Sequence, residues 1–276
     1  MMNEAGSMHR YKRILLTGAA GRLGTELRRG LGSVAEVLRI TDCEPMEDIQ
    51  PREESVICNL ADREALRDLT RDVDAIVHFG GIACEAGFDA ILESNIIGSY
   101  NVYEGARRNG VPRIIFASSV HAIGFWSLED HIDADSPVRP DSLYGVAKTY
   151  VESLSRFYWD KFGIESLCLR IFSSFEEPAD RRMLWSWLSY DDCVEYVRQG
   201  LLAPRVGHTI AFAMSGNAVS PVDNSKAGHI GYIPRSSTEE FRTGVEGAFP
   251  PPDPTSLGAR TLGGWFCELG HPDDPE

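Results

Sequence analysis

Arg13-Ile14-Leu15-Leu16-Thr17-Gly18-Ala19-Ala20-Gly21-Arg22-Leu23-Gly24 carries the reading that decides the fold. A short apolar strand over 13–17 runs into three glycines spaced Gly-x-x-Gly-x-x-Gly. A helix over 21–30 follows, with Leu23, Leu27 and Leu31 on one face. Gly18 permits the tight turn, Gly21 lets a pyrophosphate approach the backbone, and Gly24 lets helix and strand pack closely. The helix N-terminus adds free N–H groups and the positive end of a dipole. Glycines alone describe an ordinary flexible turn; their place behind the first strand of a βαβ unit points to a dinucleotide. Asp42, 24 residues beyond Gly18, ends the second strand. An acid there accepts from both adenosine ribose hydroxyls and repels a 2′-phosphate, which favours NAD over NADP. Arg22 and Arg39 leave NADP open, and a loop or cap acid is the bland reading of Asp42.

Working outward, apolar strands at 36–41, 55–58, 75–79, 113–117 and 166–171 alternate with helices at 62–72, 88–109 and 143–162. That alternation predicts an α/β fold, a Rossmann-type doubly wound parallel sheet. Gly110 and Gly163 mark the ends of the two long helices. After 172 the pattern weakens to a helix at 191–202, a last sheet strand near 209–213, and a stiff Phe-Pro-Pro-Pro-Asp-Pro strap at 249–254. The expected organisation is a leader over 1–10 with Met8 as a candidate start, an NAD-binding domain over 11–171, and a small substrate lobe over 172–276.

The chain has 276 residues, 27 basic against 41 acidic, hence a net charge of −14. That field argues against nucleic acid and anionic membranes as partners. It does not exclude an anionic small ligand, because a local cation overrides the mean. No apolar run is long enough for a membrane span, and no signal peptide is evident, so a cytoplasmic homo-oligomer is expected. The six cysteines form no Cys-x-x-Cys pair and sit near no histidine cluster, so reduced structural thiols and no metal are expected.

Tyr144-Gly145-Val146-Ala147-Lys148 places a phenol and an amine one helical turn apart on one face. A phenol is a poor base at neutral pH, and a nearby ammonium stabilises its phenolate. Of nine tyrosines only Tyr144 has a lysine four residues later. Ser118-Ser119 lies at the carboxyl end of the fifth strand, where ligands of open α/β sheets bind. Singly each serine reads as a turn or cap residue; beside Tyr144 and Lys148 they read as part of an acid–base site.

Taken together the motifs resemble the extended short-chain dehydrogenase/reductase family, the NAD-dependent epimerase/dehydratases. The carriers are the glycine turn, Asp42, His78-Phe79-Gly80-Gly81, Asn95-Ile96-Ile97-Gly98-Ser99-Tyr100-Asn101, Ser119, Tyr144, Lys148 and Leu188-Ser189-Tyr190-Asp191-Asp192. The segments 116–124 and 141–148, Arg182-Met183-Leu184, Asp223-Asn224-Ser225 and 250–254 with Gly263-Gly264 are similar to its uronate dehydrogenase branch. That resemblance implies that Tyr144 takes the proton from the anomeric hydroxyl of a hexuronate while hydride leaves for NAD, giving an aldarolactone. Ser119 would steady the oxygen. Lys148 would hold the nicotinamide ribose and lower the Tyr144 pKa, with Asn95 supporting it through water. The implied cofactor site comprises Gly18, Gly21, Arg22, Leu23, Gly24, Asp42, Asn59, Leu60, Phe79, Gly80, Gly81, Asn95, Ser118, Tyr144, Lys148 and Ile171. The implied sugar-acid site comprises Ala83, Ser119, Val120, His121, Tyr144, Ser173 and Arg182, with Arg182 clamping the carboxylate.

Four positions depart from that branch: Val120 stands for Asn, Ala83 for Ser, Phe172 for Gly and Asn59 for Asp. The first two remove hydrogen-bonding groups from the sugar pocket and Phe172 narrows it, which leaves the choice of sugar open. Another aldose dehydrogenase or a sugar epimerase is the first alternative. The 105 residues after Ile171 make a small lobe for a nucleotide sugar. A non-catalytic NAD-binding sensor is the second, and the intact Ser119, Tyr144 and Lys148 argue against it.

Overall fold

Alternating apolar residues send Ile14 and Leu16 to one face of the first strand and Leu15 to the other. Helices must therefore cover both faces. In the computed structural model, which describes residues 10–274, they do. All of the expected leader except Arg10 lies outside the described residues. The strands are β1 (Tyr11–Thr17), β2 (Ala35–Asp42), β3 (Glu53–Ile57), β4 (Ala75–His78), β5 (Arg113–Ser119), β6 (Ile132–Asp133), β7 (Glu165–Ile171), β8 (Ser173–Ser174), β9 (Trp187–Leu188), β10 (His208–Ala213) and β11 (Val222–Asp223). Seven of them form one parallel sheet in the order β10-β7-β5-β4-β1-β2-β3; β6 pairs with β11 and β8 with β9. Chain order reverses between β1 and β4, the switch point at which a crevice opens beyond the strand ends.

The helices are α1 (Arg22–Leu31), α2 (Arg63–Leu69), α3 (Phe88–Ile91), α4 (Gly98–Asn109), α5 (Leu143–Phe162), α6 (Met183–Ser186), α7 (Tyr190–Leu202), α8 (Arg242–Ala248) and α9 (Leu257–Arg260). The single helix expected over 88–109 is α3 and α4 joined by a π-helical turn, Leu92–Ile97. Leu27, Leu31, Val197 and Leu201 of α1 and α7 pack on one sheet face. Leu66, Val102, Tyr103 and Val151 of α2, α4 and α5 pack on the other. Although they follow residue 172, α7 and β10 thus complete the sheet. The rest of that segment builds a third apolar cluster, with Val120, Phe172, Phe212, Val222 and Leu262, over the carboxyl ends of β5, β7 and β10. No helix among the described residues is long and apolar enough to cross a membrane. All six cysteines are free thiols.

One polar contact lies inside the second core. Glu152 of α5 accepts from the Ser118 hydroxyl of β5 at 2.6 Å and from Arg170 Nε and Nη2 of β7 at 2.9 and 2.8 Å. Both charged side chains are almost fully buried. Removing one partner of such a pair leaves an uncompensated buried charge. Glu152→Ala is expected to cost about 3–5 kcal/mol, read as a lower urea midpoint. An unchanged midpoint would show that the pair holds nothing together.

Candidate active site

A cleft of about 1050 Å³ runs along the carboxyl ends of the central strands. At one end lies the glycine turn. Gly18 has φ +75°, and a Cβ there would sit 2.5 Å from the Phe79 carbonyl carbon; a Cβ on Gly24 would overlap the Gly18 oxygen. The turn therefore packs against the end of β4 with no room for side chains. Gly21 caps α1 without a side-chain bond, and the first turn of α1 carries no acid. Its N–H groups stay open to an anion. Asp42 lines the cleft and accepts from Ala20 N at 2.9 Å and Cys43 N at 2.8 Å, which fixes its carboxylate. Asn59 is held likewise, its Oδ1 accepting from Ala61 N at 2.9 Å and its Nδ2 donating to Glu93 at 3.2 Å. Below them Thr17 Oγ1 accepts from Gly80 N at 3.0 Å and faces His78 Nδ1 at 2.8 Å; His78 Nε2 faces Ser99 at 3.0 Å. Burial pushes His78 down to about 3, so a neutral ring braces the Phe79-Gly80-Gly81 loop. Gly18, Gly21, Arg22, Leu23, Gly24, Leu60, Phe79, Gly80, Gly81 and Ile171 all line this cleft. An open helix N-terminus, glycines that leave backbone exposed and an acid fixed at the end of β2 fit a dinucleotide.

Midway along the cleft stand Ser119, Tyr144 and Lys148, all buried. Ser142 caps α5 by accepting from Gly145 N at 3.0 Å, and Glu85 accepts from Leu143 N at 2.9 Å and Tyr144 N at 2.8 Å. Lys148 Nζ donates to the Ala117 carbonyl at 2.6 Å and lies 5.2 Å from the Tyr144 ring centre. Burial pushes Lys148 down to about 8, opposed by Glu152 one turn on. Burial also pushes Tyr144 up to about 12, opposed by its bond to the Ser119 hydroxyl. The expected lowering of the Tyr144 pKa by Lys148 is thus outweighed here: desolvation of the phenolate exceeds the stabilising contacts.

Two residues expected at the cofactor have side chains engaged with the protein. Asn95 is outside the cleft lining: its Oδ1 accepts from Ile82 N at 2.8 Å and its Nδ2 donates to Ile82 O at 2.9 Å, so its amide holds the loop. Ser118 lines the cleft, but its hydroxyl turns away onto Glu152. Glu85, Asp141 and Glu152 were invisible in the sequence, where each is one loop or helix acid among many. Their partners come from other elements.

At the far end Ala83, Val120, His121, Phe172, Ser173 and Arg182 line the wall. Val120 and Phe172 pack into one apolar cluster. Arg182 is not a solvated loop arginine. Its Nη1 donates to Ser173 Oγ at 2.7 Å, Nη2 to the Leu262 carbonyl, and Nε is buried without a partner. The guanidinium lies 5.0 Å from the Trp185 ring centre. Burial lowers its pKa from the ordinary arginine value. Among the described residues it forms no ion pair.

A model of the NAD dependent epimerase/dehydratase family matches residues 14–188. The chain belongs to that family. It is 49% identical to a uronate dehydrogenase of Pseudomonas putida over 94% of this chain and 97% of that protein. Its structure is similar to glucuronic acid dehydrogenase from Chromohalobacter salexigens, with TM-score 0.94 and 42% identity over 96% and 99% of the two chains. It is also similar to a mutant uronate dehydrogenase from Agrobacterium tumefaciens complexed with NAD, with TM-score 0.91 and 43% identity over 94% and 98%.

The Lys148 shift has a sign that stability measures. The amine holds its proton to about 10.5 ordinarily and to about 8 in the folded chain, so between those values the unfolded chain binds more protons. The stability of the wild type relative to Lys148→Met is therefore expected to rise with pH across that window in urea titrations. A flat or falling difference would contradict the shift.

Proposed function

We propose that this protein oxidises the anomeric hydroxyl of a cyclic hexuronate, of glucuronate or galacturonate type, to its aldarolactone with NAD. Bound NAD supplies the hydride acceptor. Ser119 and Tyr144 hold the anomeric oxygen, and the Tyr144 hydroxyl oxygen takes its proton. Proton transfer needs a phenolate at a site where burial disfavours one. The Lys148 charge 5.2 Å from the ring centre opposes that burial, as does the Ser119 hydroxyl.

The observation that carries the substrate assignment is Arg182. Among the described residues the five guanidinium N–H donors meet only the Ser173 and Ser186 hydroxyls and the Leu262 carbonyl as acceptors, while Asp180 and Asp141 act on the charge without pairing with it. A cation held in a cleft without an ion pair suits a ligand that brings its own carboxylate, bound through the planar fork. A neutral aldose would leave that charge unmatched. The enzyme is proposed to act in the cytoplasm and as a homo-oligomer; for the latter, the exposed Phe157 and Phe162 rings of α5 offer an apolar face.

Arg182→Ala is expected to lower kcat/KM for glucuronate about a hundredfold or more, with little change for glucose. NADH absorbance measures both. Equal losses on the two sugars would remove the carboxylate clamp and favour a general aldose dehydrogenase.

A further inference from the structure

Beside the acid–base group lies a second pair that the mechanism above does not use. His121 follows β5 in a short 3-10 turn, and its Nδ1 is 2.8 Å from Oδ2 of Asp141. The Asp141 side chain is fully enclosed. Its other oxygen, Oδ1, accepts from the Ser142 hydroxyl at 2.8 Å. A carboxylate oxygen accepts, so the Ser142 hydroxyl is the donor, while its own oxygen accepts from Gly145 N at 3.0 Å. The main chain repeats the link: Asp141 N donates to the His121 carbonyl at 3.3 Å. Glycines close the space around the carboxylate, since a Cβ on Gly124 or on Gly263 would overlap it. Phe266 stacks on the imidazole at 3.8 Å between ring centres, and the Tyr144 ring meets it edge-on at 5.7 Å. The ring therefore has one position and one oriented nitrogen. Nε2 has no partner among the described residues, and His121 lines the cleft.

We infer that Asp141 is a positioning residue: it keeps the His121 proton on Nδ1, so that Nε2 faces the cleft as an acceptor for a free hydroxyl of the sugar. This rests on the reading of the site as a hexuronate site. A buried acceptor takes an O–H donor and rejects an ether at the same place, because the lone pair is then left unmatched. Val120 and Phe172 beside it are apolar, so this nitrogen is the acceptor on that side of the wall. Asp141→Asn keeps the shape of the carboxylate, and with its amide oxygen retained on the Ser142 O–H it offers Nδ1 an N–H. It thereby moves the imidazole proton to Nε2 and turns an acceptor into a donor, the same tautomer logic that governs Asp–His pairs in hydrolases.

The test has two arms. Nitrogen-15 spectra of the wild-type histidines, with His121 assigned by loss of its signals in His121→Gln, should show Nδ1 protonated and Nε2 bare at neutral pH. Asp141→Asn should show the reverse. Kinetically, Asp141→Asn should lower kcat/KM for glucuronate by about tenfold or more, with NAD affinity unchanged within about twofold. A wild-type His121 protonated at Nε2, or an Asp141→Asn enzyme within about twofold of wild type in kcat/KM, would overturn the inference. Failure of the wild type to reduce NAD with any uronate would instead overturn the hexuronate reading, and the spectra would still decide the tautomer.

Discussion

Glu152 is the contact on which the site depends. One buried carboxylate joins the helix α5 to strands β5 and β7 through Ser118 and Arg170. Ser119 is the next residue along β5, and Lys148 is one turn back along α5. The distance between the hydroxyl that steadies the substrate and the amine beside the base is therefore set by this acid together with the Lys148 bond to the Ala117 carbonyl of β5. A buried charge pair held by three directional hydrogen bonds has one geometry, whereas apolar packing alone tolerates sliding. The same carboxylate favours the charged form of Lys148, opposing the burial that pushes its pKa down. Fold stability and the electrostatics of the base thus share one side chain.

Around that fixed point a second layer of acids positions the loops. Glu85 caps the start of α5, and Asp42 fixes the turn after β2. Asp141 links the α5 cap to His121. A net charge of −14 is in this sense partly structural: several acids are engaged with backbone N–H groups. Against that background Arg182 is a buried cation at the far end of the cleft that forms no ion pair among the described residues.

Much of this was legible in the sequence for physical reasons. Period-two and period-3.6 apolar patterns are local, so the seven strands of the main sheet, α1 and the bounds of α5 could be read directly, whereas the two-residue strands β6, β8, β9 and β11 carry no such pattern; α5 runs over Leu143–Phe162 as expected. The glycine turn was legible because close backbone approach admits only glycine at Gly18 and Gly24. The Tyr144–Lys148 pair was legible because one helical turn is a fixed spacing. What escaped was non-local. Asn95 was assigned to a water beside Lys148, yet a π-helical turn aims its amide at Ile82. Ser118 was assigned to the cofactor, yet a partner on another element turns it inward. The lowering of the Tyr144 pKa was argued from charge alone, and burial, which no linear sequence displays, outweighs it.

The central claim is that one small molecule spans the cleft from Tyr144 to Arg182. A crystal structure of the complex with NADH and the lactone of glucaric acid tests it most directly. The account predicts the lactone carbonyl oxygen between the Ser119 and Tyr144 hydroxyls and the free carboxylate paired with Arg182. A ligand seated with its carboxylate in solvent, and Arg182 still engaged only by Ser173, Ser186 and Leu262, would contradict it.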